Sequence, residues 1–475
     1  MSEVIRDGDK TFAFAVPVVV IGAGAAGLIA ALAAREAGAD VLVLERDALP
    51  RGSTALSAGL IPAAGTRWQK DAGITDSPEV FAADVMAKAK NEPDPSLVAL
   101  VTREAGPTIE WLGTTYGLPF SVIADFSYPG HSARRMHGLP TRSGEELIDA
   151  LRGAAENAGI DILCEAHVTT LFADADNRVT GLAFVRPDGS RDEVGCDQLI
   201  LACNGYGGNK DLVKAHIPSL AEALYFGHEG NKGDALLWGE ALGAATRHLS
   251  GHQGHGSVAY PAGILISWAT ISEGGVQVNL AGERFCDESR GYSEQAAEVL
   301  AQPQGLAWTV FDHRIAAITR QFEDYKRAEA MGAIVTADDW PTLAARMGVP
   351  AEALAATMTA TAEAKAASTR AAGARDAFGR DFTGVPQLSA PYCAVKVTGA
   401  LFHTQGGLVV DDAARVLDTA GRPLPNLFAA GGAACGVSGA KAAGYLSGNG
   451  LLTAVTLGRV AGQAAGEKIA GGGAG

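Results

Sequence analysis

Apolar and glycine positions open the chain in a regular order. Residues 18–21 form an apolar, β-branched run that reads as a buried strand. Gly22-Ala23-Gly24-Ala25-Ala26-Gly27 breaks it, and residues 28–37 have an alanine-rich helical composition ended by Gly38. A second apolar run at 41–44 follows. Near-continuous apolar strands on either side of a helix predict a βαβ unit in a parallel sheet covered on both faces. Further on, 143–158 has the period of an amphipathic helix, 169–185 reads as a hairpin, and 198–202 as a buried strand leading through Cys203 into a glycine-rich turn at 204–209. From about 251 to 398 the pattern changes to short mixed strands and alanine-rich helices, notably 351–372, before strand and turn signals resume at 406–410. The expected fold class is α/β: a Rossmann-like domain built from 1–250 and 404–475, with an inserted α+β domain over 251–403. No repeat of fixed period is present, and only the tail 471–475 reads as disordered.

Composition narrows the function classes. With 475 residues, 47% hydrophobic and 19% charged, the chain has ample apolar surface for a large core. A formal charge of −15 without a basic block argues against nucleic acid as a partner, because phosphate-backbone affinity rests on clustered Lys and Arg. The six cysteines are scattered, with no CxxC pair or Cys/His metal spacing, which reads as reduced thiols in a cytoplasmic protein. The apolar stretch 13–34 has an acidic flank and carries the glycine pattern, so no membrane insertion is expected.

The glycine spacing carries the first chemistry. GxGxxG lies between a strand and a helix N-terminus, where the first glycine permits the turn, the second admits a pyrophosphate and the third allows close packing. Glu45, at the end of the next strand, is placed to accept from ribose hydroxyls, with Arg46 beside it. The small, hydroxyl-bearing loop Arg51-Gly52-Ser53-Thr54-Ala55-Leu56-Ser57-Ala58-Gly59 suits a flavin's phosphates and ring edge and points to FAD rather than NAD. Near the C-terminus, Asn426-Leu427-Phe428-Ala429-Ala430-Gly431-Gly432 runs into glycines, and 444–450 opens a last helix whose N-terminus suits an anionic reduced flavin.

These residues, with Asn231-Lys232-Gly233-Asp234, Gly282-Glu283-Arg284-Phe285 and His403-Thr404-Gln405-Gly406-Gly407, resemble the fumarate reductase and succinate dehydrogenase flavoprotein family and its 3-ketosteroid dehydrogenase relatives over nearly the whole chain. The resemblance implies an FAD-binding domain from both chain ends, a capping domain between them, and substrate under the flavin. It implies cofactor contacts from Gly22, Gly24, Ala25, Ala26, Gly27, Glu45, Arg46, Ser53, Thr54, Ser57, Ala58, Gly59, Val168, Asn204, Gly205, Asp234, Gly431, Gly432, Ser447, Asn449, Gly450 and Leu451. Membrane-bound members bond FAD covalently through a histidine in the 51–59 loop; Ser53 stands there in this chain, so FAD is expected to be non-covalent. Gly432 stands where the family often has an acid.

Two tyrosines separate the possible reactions. The fumarate pattern opens the last helix with an arginine that clamps a carboxylate, and this chain has Tyr445. Its proton-donor arginine is matched by Tyr292, with Arg290 two residues earlier, and Trp268 replaces its proton-delivery acid. Tyrosines at both positions resemble the ketosteroid dehydrogenases: Tyr445 would hold a ketone oxygen and Tyr292 would take the α-proton, its pKa lowered by Arg290. His403 follows the fumarate pattern, in which it contacts a substrate carboxylate. The reading is therefore a desaturase of a cyclic ketone, such as an oxocyclohexane carboxylate or a 3-ketosteroid, that passes electrons to an external acceptor. A soluble reductase of fumarate-like dicarboxylates and a non-catalytic flavin redox sensor are the alternatives. The cluster His131-Ser132-Ala133-Arg134-Arg135-Met136-His137 reads as a solvated basic loop more readily than as extra pocket cations, and His252 and His255 as polar lining residues without a metal.

Overall fold

The computed structural model describes residues 3–124, 128 and 130–472, and the chain divides into two compact units. The first comprises Met1–His216, Gly227–His252 and His403–Gly475. Its nine-stranded sheet runs in the order Glu3–Arg6, His167–Ala173, Val179–Val185, Arg191–Leu201, Ala15–Ile21, Val41–Leu44, Asp161–Leu163. Pro423–Ala429 joins it along Arg191–Leu201, and Arg415–Leu417 pairs with Pro423–Ala429. The centre is parallel, with Leu201 level with Ile21 and Ile21 level with Leu44. His167–Ala173 and Val179–Val185 form the antiparallel hairpin that the alternation predicts. Val18, Val19, Val20 and Val43 are fully buried, as strands covered on both faces require.

The helix after the fingerprint spans Ala25–Glu36, three residues earlier than the composition suggests, because Ala25 and Ala26 of the glycine motif are already helical. It packs along the last helix, Asn449–Gly472, at a distance only glycine permits: a Cβ on Gly462 would overlap the Ala30 carbonyl oxygen. Gly471 and Gly472, expected in a disordered tail, belong to this helix, and residues 473–475 lie outside the described residues. The helix Gly144–Asn157 begins where Ser143 Oγ accepts the Glu146 N–H at 3.2 Å.

The second unit comprises Ile217–Phe226 and Gln253–Phe402. Ile217–Phe226 departs from the expected segmentation because Leu224–Tyr225 pairs with Ala400 and Leu401, a long-range partner invisible to local pattern. A seven-stranded sheet is organised around the long strand Tyr392–Thr404, which pairs antiparallel with Leu306–Asp312. Helices Tyr292–Leu300, His313–Thr319, Glu323–Ala330, Trp340–Met347 and Ala351–Arg370 complete an α+β arrangement. Among the described residues, no helix is long and apolar enough to cross a membrane, and no group of three or more His, Cys, Asp or Glu is gathered as for a metal.

Candidate functional site

In the first unit the fingerprint forms a strand-to-helix turn. The Gly22 N–H donates to Leu44 O at 2.8 Å. A Cβ on Gly27 would overlap the Gly22 carbonyl oxygen, so glycine there serves helix–strand packing. Gly24 differs: a Cβ would meet nothing closer than Thr54 Oγ1 at 3.6 Å. Packing within the protein does not demand glycine at 24; close approach of a pyrophosphate does. Ala25 N–H donates to Thr54 Oγ1 at 3.0 Å, tying the 51–59 loop to the helix N-terminus. Glu45, buried, accepts from Ala23 N–H at 2.8 Å and Asp47 N–H at 3.0 Å, and burial raises its pKa despite these bonds. Arg46 is drawn away from Glu45 to Gly230 O, at 2.7 Å.

The 51–59 loop is itself held rigid. Ser57 Oγ donates to Thr54 O at 2.7 Å and accepts from Gly59 N–H at 3.0 Å, with Ala58 exposed between them. Ser53 Oγ accepts from Asn204 Nδ2 at 3.1 Å and Asn231 Nδ2 at 2.9 Å. Asn204 takes the left-handed conformation (φ 65°), and its Oδ1 accepts the Gly205 N–H at 2.8 Å. Asn231 thus explains part of the 231–234 motif: it helps orient Ser53. Asp234 opens the helix Asp234–Ala241, and Val168 is buried in its strand.

At the C-terminal end Tyr445 and His403 are neighbours, ring centroids 5.4 Å apart at 73°. Tyr445 is buried, and burial lowers the His403 pKa to about 4, leaving a neutral imidazole at physiological pH. Gln405 Nε2 lies 3.0 Å from His403 Nδ1, Ser438 Oγ 2.7 Å from Gln405 Oε1, and Asn449 Nδ2 2.9 Å from Ser438 Oγ. Gly431 (φ 60°) and Gly432 close the preceding turn, where a Cβ on Gly432 would overlap Asn204 Oδ1. Asn449 Oδ1, fully buried at the start of the last helix and beside Gly450 and Leu451, has no hydrogen-bond partner. An orphaned acceptor there suits the single ring N–H of an oxidised flavin, and with the open face of Gly24 it makes this surface fit FAD.

The 131–137 cluster is solvated only in part: Ser132 and Arg134 are exposed, whereas the rest turns inward. Arg135 is buried, its guanidinium bonded to both oxygens of Asp76 at 3.0 Å and to Asp84 at 2.6 Å, and it stacks on Phe81. His131 donates through Nε2 to Ser447 O at 3.0 Å and His137 bonds Thr66 Oγ1 at 2.8 Å; burial lowers both pKa values to about 4. The cluster is a neutralised brace under the 445–450 turn.

The second unit holds the other tyrosine. Tyr292 is the first residue of the helix Tyr292–Leu300. Its ring stacks on His255 at 5.1 Å and 19°, His255 stacks on Phe402 at 5.6 Å and 21°, and Trp268 stands edge-on to His255 at 5.6 Å. His255 is therefore the centre of an aromatic box, and burial pushes its pKa down to about 3. His252 bonds Ser250 O through Nδ1 at 2.8 Å. Arg290 is exposed and donates to Glu298 Oε1 at 2.8 Å, so its guanidinium is committed to a surface pair. Arg284 of the Gly-Glu-Arg-Phe motif bonds Glu288 at 2.9 Å and Asp376 at 2.6 Å, and Arg380 bonds Glu288 at 3.0 Å.

Residues 17–451 match the family model described as FAD binding domain. A probable fumarate reductase of Shewanella frigidimarina is 31% identical over 450 residues, covering 94% of this chain and 74% of that protein. A 4-oxocyclohexanecarboxylate 2-dehydrogenase of Sinomonas cyclohexanicum is 28% identical over 559 aligned positions, covering 96% and 93%. Among solved structures, the 3-ketosteroid-Δ4-(5α)-dehydrogenase of Rhodococcus jostii with 4-androstene-3,17-dione matches with a TM-score of 0.75 and 26% identity, covering 97% of this chain and 99% of that one.

Proposed function

Because the chain belongs to the FAD binding domain family and is an FAD-dependent oxidoreductase of fumarate reductase type acting on CH–CH groups, we propose that it desaturates a cyclic ketone next to its carbonyl. The proposed substrate also carries a carboxylate, as an oxocyclohexane carboxylate does. The observation that carries this reading is the His403–Tyr445 pair, a neutral imidazole beside a phenol where fumarate chemistry would need cations.

In this reading Tyr445 donates its O–H to the ketone oxygen and stabilises the enolate charge that develops as the α-proton leaves. Tyr292 takes that proton as the general base. His403 donates an N–H to the substrate carboxylate. FAD, when bound, would supply the acceptor for the hydride that leaves the β-carbon and a route for the electrons to an external acceptor. The 4-oxocyclohexanecarboxylate 2-dehydrogenase relative supports a keto-acid over a 3-ketosteroid, which has no carboxylate for His403. The scattered, unpaired cysteines favour the cytoplasm as the compartment.

The second reading, reduction of a fumarate-like dicarboxylate, is favoured by His403 and by the 31% identity to a fumarate reductase. It is opposed by the arginines of the second unit: Arg284 and Arg380 are spent on Glu288 and Asp376, and Arg290 on Glu298. Steady-state turnover with an artificial electron acceptor separates the readings. Conjugated enone formed from 4-oxocyclohexanecarboxylate is expected; turnover of succinate alone would establish the dicarboxylate reading, and no turnover of either would leave the non-catalytic flavoprotein.

A further inference from the structure

We propose that Gln405 is a positioning residue that fixes the tautomer of His403, holding its proton on Nε2 so that Nε2–H is the donor presented to substrate. The proposal deepens the keto-acid reading and rests on it only for what Nε2–H binds. The argument follows the donor inventory of four side chains. An amide nitrogen can only donate, so Asn449 Nδ2 donates to Ser438 Oγ at 2.9 Å. Ser438 spends its own proton on Gln405 Oε1, which can only accept, at 2.7 Å. Gln405 Nε2 must then donate to His403 Nδ1, at 3.0 Å, and a ring nitrogen that accepts carries no proton. In a neutral imidazole the proton is therefore on Nε2.

Two features support this direction in a relay closed to water. Gln405, Ser438 and Asn449 are all buried, so water does not compete for these bonds. The competing partner for an Nδ1 proton, Thr404 O, is farther away at 3.4 Å. A Cβ on Gly450 would stand 3.1 Å from Nε2, so glycine there leaves that nitrogen uncovered. The opposite direction, with both amides turned, would put the proton on Nδ1 and leave Nε2 an acceptor, unable to bind a carboxylate.

The test uses the FAD-loaded protein labelled with ¹⁵N-histidine, with His403→Asn to assign the His403 ring signals. Wild type is expected to show an Nε2-protonated ring. Gln405→Glu places a second carboxylate oxygen where the amide donor stood and is expected to draw the proton to Nδ1. Retained FAD and an unchanged flavin spectrum establish that Gln405→Glu is folded; if it is not, Gln405→Met serves, and is expected to give a mixture of the two tautomers. In turnover, Gln405→Glu should lower kcat/KM for 4-oxocyclohexanecarboxylate about 10- to 100-fold, mainly through KM, since a hydrogen bond to a charged group is lost. Cyclohexanone, without a carboxylate, should be little affected. An Nδ1-protonated wild type, or the same single tautomer in wild type and variant, would overturn the proposal. Failure of both ketones to react would instead reject the functional reading, leaving the tautomer result intact.

Discussion

Tyr445 and Tyr292 are both phenols, and their surroundings are built from opposite materials. Tyr445 shares its surroundings with His403, which heads a relay of buried neutral side chains, Gln405, Ser438 and Asn449, whose directional bonds set where protons sit. Tyr292 is held by faces, stacked on His255 within a box completed by Phe402 and Trp268. Its unit gathers charge into the sealed Arg284–Glu288–Arg380–Asp376 cluster. The first region is thus furnished with uncharged hydrogen-bonding groups, whereas in the second the charges of Arg284 and Arg380 are compensated within their own cluster. Dicarboxylate chemistry would need the reverse, arginines released to meet substrate.

The sharpest way to break this contrast is to open the sealed cluster. Glu288→Gln leaves Arg284 and Arg380 undercompensated in a buried site and should cost about 3–5 kcal/mol of stability, read by chemical denaturation; an unaffected protein would mean that the arginines are not locked. Tyr445→Phe should raise the barrier by about 2–4 kcal/mol in kcat/KM while FAD remains bound, and wild-type turnover would remove the oxyanion role.

Acid should strain the stacked region next. The His255 pKa is depressed by burial from 6.5 to about 3, so the unfolded state takes up a proton that the folded state refuses. That stability is present above pH 6.5 and lost as pH falls toward 3. His255→Phe keeps a ring in the stack and should flatten the acid slope by up to about 1.4 kcal/mol per pH unit; unfolding free energies at pH 7 and 5 check this, and an unchanged slope would contradict it. Arg290→Ala should do least, within about 0.5 kcal/mol in activity and stability, because its pair with Glu298 is exposed. A collapse of turnover there would return Arg290 to a proton-donor role and favour the dicarboxylate reading.

Much of the fold was legible because its signals are local. The fingerprint glycines are read from a six-residue spacing, and the apolar runs needed only their own composition to read as covered parallel strands. What escaped depends on partners far along the chain. Leu224–Tyr225 joins the second unit by pairing with Ala400 and Leu401. Residues 131–137 look like a solvated basic loop until Asp76 and Asp84 are seen to neutralise Arg135. His403, Tyr445 and Tyr292 could be singled out by motif position, but the Gln405–Ser438–Asn449 relay joins three separate segments. His255 acts through its ring faces, for which the chain has no spacing rule.

The most direct measurement is the flavin absorbance band after anaerobic mixing of the FAD-loaded protein with 4-oxocyclohexanecarboxylate, cyclohexanone and succinate in turn. Bleaching by the keto-acid, faster than by cyclohexanone and absent with succinate, is the expected result. Bleaching by succinate alone, or reoxidation of the reduced protein by fumarate alone, would contradict the ketone chemistry assigned to Tyr445 and Tyr292.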